Sequence, residues 1–90
     1  FIDSEFGRRV PENTSLGTDH GTANVSFVVG GRVQGGQYGT PPSLTELVLG
    51  DNLQHTTDFR RVYASLIDEF LGYKQPEKVL GGNFETLGMF

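Results

Sequence analysis

The clearest hydrophobic pattern in the chain lies between residues 59 and 71. Apolar side chains recur there at intervals of three and four, with polar side chains between them. The apolar positions are Phe59, Val62, Tyr63, Leu66, Ile67, Phe70 and Leu71. This spacing is typical of an amphipathic helix. The sequence therefore predicts one long helix that begins near Thr56 or Thr57, which can cap it, and ends at Gly72 in the left-handed C-cap position.

A second apolar segment, Val25 to Val29, has the composition of a strand. Its residues are mostly β-branched or aromatic, and it ends at the glycine pair 30–31. Nearly continuous apolarity predicts a strand that is buried on both faces, as in a helix-covered sheet. Residues 32–38 follow with Gly35 and Gly36 at their centre, which predicts a short hairpin with a two-glycine turn.

The remaining segments give weaker patterns. Residues 1–6 have the composition of a strand end, and the following segment is rich in turn formers with Pro11 among them, which predicts a loop. Residues 44–49 are consistent with either a helical turn or a strand. The tail after Pro76 is apolar but irregular, so no regular element is expected there.

Composition narrows the class of protein. Ninety residues allow one small domain, and the formal charge of -4 with scattered Lys and Arg argues against a nucleic-acid partner. No apolar run is long enough to span a bilayer. The chain begins at Phe1 and its one methionine is Met89, so we expect residues 1–90 to be a piece of something larger.

Two charged clusters are candidates for chemistry. Asp19 and His20 lie side by side between glycines, just before the predicted strand, and carboxylate and imidazole are ligands for Zn²⁺, Mn²⁺ and similar ions. The same pair also fits a hydrogen-bonded polar turn. Upstream, Glu5 is either a further ligand or a solvated carboxylate. Arg8 either clamps an anion with its planar fork or is a surface arginine beside Arg9.

Several phrases in this order carry a family resemblance. They are Ser4-Glu5-Phe6-Gly7-Arg8, Gly17-Thr18-Asp19-His20-Gly21-Thr22-Ala23-Asn24, Phe27-Val28-Val29-Gly30-Gly31, His55-Thr56-Thr57-Asp58-Phe59-Arg60-Arg61-Val62-Tyr63-Ala64 and Leu80-Gly81-Gly82. Together they resemble the C-terminal part of the bacterial family called domain of unknown function 1501. That family is similar to the alkaline phosphatase and sulfatase superfamily.

The resemblance implies both a fold and an activity. It implies an α/β fold in which residues 1–90 are a C-terminal part of a larger mixed-sheet sandwich with short strands. It also implies metal-dependent hydrolysis of phosphate or sulfate esters in a periplasmic or secreted setting, with a divalent metal such as Zn²⁺ or Mn²⁺. The implied metal ligands are His20, Asp19 and Glu5, and the implied contact to the small anionic substrate is Arg8.

The superfamily pattern can be aligned with the chain in two registers. In the first, Asp19 and His20 are the paired ligands of the superfamily. In the second, which the position of the strand favours, Glu5 and Phe6 occupy the pair position and His20 is a later single histidine. In that register Glu5 replaces an aspartate and Phe6 replaces a histidine, so one imidazole ligand is missing.

Three expectations follow for function. The first is a metal-dependent hydrolase whose nucleophile lies upstream, so that this chain alone is not catalytic. The alternative is a non-catalytic binding or structural module that keeps the fold without the metal chemistry. In either case we expect self-association of the isolated chain, because the apolar stripe of the predicted helix would be exposed.

Overall fold

The computed structural model describes all 90 residues, and it divides them into two compact units. Unit 1 comprises residues 1–29 and 40–56, and unit 2 comprises residues 30–39 and 57–90. The regular elements are β1 (Gly7–Arg8), β2 (His20–Gly21), α1 (Phe59–Ser65), a π-helical segment (Leu66–Phe70) and α2 (Pro76–Leu80). The chain thus contains both helix and strand, as the α/β prediction requires, and its sheet is a two-stranded ribbon.

The β-ribbon is the regular part of unit 1. β1 and β2 run antiparallel, with Gly7 opposite Gly21 and Arg8 opposite His20. An isolated bridge joins Ile2 to Phe27, whose N–H groups each donate to the other's carbonyl oxygen at 2.8 and 2.9 Å. The rest of unit 1 consists of turns and loops.

A turn in the segment 48–52 closes the loop region of unit 1. Val48 and Asn52 exchange backbone hydrogen bonds around it. Asn52 is 4% exposed, and its side chain accepts from the Thr22 N–H at 3.1 Å and donates to the Leu49 carbonyl oxygen at 2.6 Å. This buried amide therefore connects the end of β2 to the turn.

The prediction of a buried strand at Val25 to Val29 is wrong. Val25, Phe27 and Val29 are 68%, 57% and 80% exposed. Phe27 is the only residue of the segment that forms a bridge. An apolar run becomes a buried strand only where other elements pair with its edges and cover its faces, and in unit 1 the segment pairs with Ile2 alone.

The predicted hairpin over residues 32–38 is also wrong. The Val33 N–H closes a turn onto the Gly30 carbonyl oxygen, and the Gln34 N–H donates to Met89 at 2.7 Å. Residues 32–38 form no strand, so the glycine pair 35–36 does not connect a ladder. The Gln34 N–H therefore bonds to Met89, in the tail of the chain, instead of to a second strand of a hairpin.

The helical segment of unit 2 lies where the periodicity places it. Its N-cap is Asp58, not Thr56 or Thr57, because the Asp58 carboxylate accepts from the Arg60 N–H at 2.9 Å. The α-helical part ends at Ser65, and residues Leu66–Phe70 continue it as a π-helix. The segment is therefore helical throughout but is not a single α-helix. Gly72 has φ +75°, the left-handed conformation predicted for it.

A small core and a second helix complete unit 2. Ala64 and Ser65 are fully buried and Met89 is 4% exposed. α2 was not predicted, since the tail was expected to be irregular; Pro76 opens this helix and Gly81, at φ +72°, ends it. No helix in the chain has the length and apolarity to span a membrane.

Candidate functional site

The β-ribbon brings together two of the four site residues that the sequence singles out, Arg8 and His20. Gly7 is buried against the backbone carbonyl of Ala23, which leaves no room for a β-carbon. A β-carbon on Gly21, its ribbon partner, would lie 2.6 Å from the carbonyl carbon of Arg8. Glycine at both positions therefore allows the two chains to approach closely, and the ribbon brings residue 8 up to residue 20.

Arg8 and His20 are directly opposed across the ribbon. Directly opposed residues of an antiparallel pair project to the same face, with β-carbons about 5 Å apart. Both residues are exposed. The ribbon thus presents a guanidinium and an imidazole side by side to solvent, although the two residues are far apart in sequence.

Phe6 belongs to the same face. It lies two residues before Arg8, and alternate residues of an extended chain project to one side. Its ring lies 4.8 Å from the imidazole of His20, centroid to centroid, with 19° between the ring planes. We call Phe6, Arg8 and His20 the ribbon face. On this face the phenyl ring covers one side of the imidazole and limits its orientations.

Arg8 is fixed at one end of its guanidinium. Its Nη1 donates to the Thr18 carbonyl oxygen at 2.8 Å, just before β2. No residue of the chain accepts from Nε or Nη2, so those donors remain open to solvent. This partial tether reduces the side-chain freedom that binding an anion would otherwise remove, and it leaves a donor pair for the anion.

Asp19 is attached to the neighbouring loop rather than to the imidazole. Its carboxylate accepts from the Asn13 side-chain amide at 3.1 Å, and its carbonyl oxygen accepts from the Arg9 N–H at 2.9 Å. Asn13 in turn accepts from the N–H groups of Ser15 and Gly17. The Asp19 carboxylate therefore supports this loop and does not orient His20.

A polar depression of about 110 Å³ lies beside this loop. Its lining consists of Arg9, Pro11, Glu12, Asn13, Asp19, Gly50 and Asp51. The Nε of Arg9 is buried there without a hydrogen-bond partner. Charges of both signs line the depression, so it does not select a ligand of one charge.

The three predicted metal ligands are not assembled into one group. Glu5 and His20 are exposed and Asp19 is bound to Asn13. No set of three or more His, Asp or Glu side chains in the chain is placed to hold a metal ion. The residues present therefore do not fit a metal centre made by this chain, and no chemical step through a metal is derived from them.

The sequence reasoning missed how Phe6 and Arg8 combine with His20. In the second register Phe6 replaces a histidine ligand, whereas in the structure its ring stacks on the imidazole of His20. One signal was present in the sequence, since Gly7 immediately precedes Arg8 and Gly21 immediately follows His20. Glycines inside two short extended segments mark a close approach of backbones, and here they mark the ribbon register.

Comparison with known proteins gives one family. Residues 1–69 match the family described as "Protein of unknown function (DUF1501)". No curated protein and no solved structure matches the chain. The match includes the ribbon face and α1, and it extends over more than half of the sequence. The chain therefore belongs to the DUF1501 family of proteins of unknown function.

Proposed function

We propose that the chain is part of a metal-dependent hydrolase of phosphate or sulfate esters, and that Arg8 and His20 bind the anionic group of the substrate. The observation that carries the proposal is the cross-strand pairing of these two residues. The resemblance to the alkaline phosphatase and sulfatase superfamily supports the reaction class. The larger mixed-sheet sandwich and the periplasmic or secreted setting belong to the same proposal.

The chemistry of the pair matches an ester oxyanion. An arginine guanidinium presents planar donors that suit the oxygens of phosphate and sulfate, and its open Nε and Nη2 provide two of them. The imidazole of His20 adds a further N–H donor from the opposite strand. Because the Arg8 side chain is already held by the hydrogen bond from Nη1 to Thr18, it loses less conformational entropy when the anion binds.

Hydrolysis requires more than this pair supplies. In this class of reaction a divalent metal would supply the polarisation of the ester oxygen and the activation of the nucleophile. The chain assembles no metal centre, and no Ser or Thr hydroxyl forms a hydrogen bond with His20 or His55 that would activate it as a nucleophile. The isolated 90-residue chain should therefore bind the anion without turning over the ester.

Calorimetric titration with phosphate and with sulfate tests the binding part of the proposal. We expect saturable binding that Arg8→Gln weakens about tenfold, since a hydrogen bond to a charged group contributes about 1.5 kcal/mol. Arg8→Lys keeps the charge without the planar fork and should fall between the two. Equal affinity in all three proteins would refute the role of Arg8.

Turnover of an aryl ester tests the catalytic part. We expect no rate above the buffer background. Turnover by the purified chain that His20→Ala abolishes would contradict this expectation, and His55→Ala is the matched control because His55 is also an exposed histidine of unit 1.

A second candidate function is a binding or structural module without metal chemistry. The stacking of Phe6 on His20 favours it, because Phe6 occupies the position where the resemblance places a second imidazole. Metal analysis of the purified protein separates the two functions. In the full-length protein, a stoichiometric transition metal supports the hydrolase, and a metal-free protein that still binds sulfate supports the module.

A further inference from the structure

The phenyl ring of Phe6 stacks on the imidazole of His20, and the residue is still exposed to solvent. Its centroid lies 4.8 Å from that of His20, yet the residue is 52% exposed. The opposite side of the ribbon is closed, because the backbone of Ala23 packs against Gly7. Phe6 and the two anion-binding groups therefore share the open side of the ribbon.

This arrangement has the components that recognise an anion attached to a flat ring. The guanidinium and the imidazole hold the charged oxygens, while an exposed aromatic ring offers a surface on which another ring can stack. Aromatic rings prefer offset-stacked or edge-to-face contact at centroid separations of about 4.5–7 Å. Phe6 directly contacts one of the two anion-binding groups, the His20 imidazole, and in an aryl ester the ring is likewise bonded directly to an oxygen of the phosphate or sulfate.

We propose that Phe6 determines specificity, so that the ribbon face prefers aryl phosphate or sulfate monoesters over alkyl monoesters of the same charge. This inference rests on the proposed function, because it needs Arg8 and His20 to hold the anionic group. The inference adds a preference for esters of aromatic alcohols. Arg8 and His20 cannot provide this preference because they contact only the charged oxygens. Phe6 acts by stacking on the ligand, and its contact with His20 holds the platform in place.

The test compares two monoesters that share their charge, phenyl phosphate and methyl phosphate, by calorimetry or NMR titration of the 90-residue chain. We expect phenyl phosphate to bind about two- to tenfold more tightly, the range that one aromatic pair contributes. Phe6→Leu should bring the two affinities together, and Phe6→Tyr should preserve the ratio. Nuclear Overhauser contacts between the ligand's phenyl protons and the Phe6 ring should accompany binding.

The outcomes separate this inference from the proposed function. Equal affinity of the wild-type chain for the two esters overturns the inference and leaves anion binding by Arg8 and His20 intact. Failure of both esters to bind overturns the two proposals together. A preference for the phenyl ester that survives in Phe6→Leu places the aromatic contact elsewhere and also overturns the inference. Equal affinities in the wild-type chain are decisive by themselves, and the Overhauser contacts locate the ligand ring in the wild-type chain, so the test does not depend on the variant folding well.

Discussion

Gly7 lies so close to the backbone carbonyl of Ala23 that a β-carbon cannot be accommodated without moving the chain. Gly7→Ala should therefore force β1 away from this backbone and disturb the pairing of Arg8 with His20. We expect the free energy of unfolding to fall by about 1–3 kcal/mol, the usual cost of overpacking. Urea denaturation measures the loss.

A second glycine provides the control for that experiment. A β-carbon on Gly31 would have no atom within 4 Å. Gly31→Ala should therefore change stability by less than about 0.5 kcal/mol, as expected for an open surface position. If the two alanine variants are equally stable, the close packing of Gly7 against Ala23 is not present in solution.

Asp58 determines where α1 begins. It accepts the N-cap hydrogen bond from the Arg60 N–H at 2.9 Å, and it also binds the Arg60 guanidinium at 2.7 Å. The hydrogen bonds that this carboxylate accepts from the guanidinium raise the pKa of Arg60. Asp58→Ala should cost about 1 kcal/mol of stability and lower the helical circular dichroism.

Asp58→Asn is the matched control because asparagine also caps helices well. It should keep most of the stability that Asp58→Ala loses. A loss of equal size in Asp58→Asn would show that the ion pair with Arg60, and not the cap, stabilises this end of α1.

Ser65 connects α1 to the tail of unit 2. Its hydroxyl donates to the Arg61 carbonyl oxygen and accepts from the Leu87 N–H, each at 2.8 Å, and the residue is fully buried. Ser65→Ala would leave the Leu87 N–H without its partner, at a cost of about 1–3 kcal/mol. Thermal unfolding checks this, with exposed Ser15→Ala as the neutral control. Equal melting temperatures for the two variants would contradict the bridging role of Ser65.

The sequence predicts the features that depend on interactions between residues close together in the chain. The helix at residues 59–70 follows from local periodicity, and Gly72 ends it as predicted because a left-handed cap is a local requirement. The short helix Pro76–Leu80 was missed, although a proline at its start and a glycine after its end were both readable in the sequence.

The candidate site depended on contacts that span the loop between two strands. His20 and Arg8 are selected separately from their chemistry. Their register is determined by the pairing of Gly7 with Gly21, and the neighbouring glycines mark a close approach without telling which residues pair. The burial predicted for Val25 to Val29 failed for a related reason. Apolarity indicates what a segment can bury, whereas burial itself requires other chain segments on both of its faces.

The exposed apolar segment Val25 to Val29 leads to the prediction of self-association. Its three alternate residues Val25, Phe27 and Val29 are more than half exposed. The segment carries no charge to oppose pairing with another chain. Sedimentation across a dilution series should show concentration-dependent association, and Phe27→Lys should weaken it.

Leu16→Lys is the control for this prediction because Leu16 is even more exposed than Phe27, at 85% against 57%, but lies outside the segment. It should leave association unchanged. A compact monomer at every concentration would contradict the prediction, and so would an equal effect of the two lysine variants.

The most direct test of the account follows the His20 imidazole during a sulfate titration. In a chain with labelled histidines, the ring resonances of His20 should shift saturably while those of His55 stay in place, and Arg8→Gln should weaken the apparent affinity about tenfold. This result would show that the paired residues of the ribbon form one anion site. Resonances of His20 that do not respond to sulfate, or that respond equally in Arg8→Gln, would contradict the account.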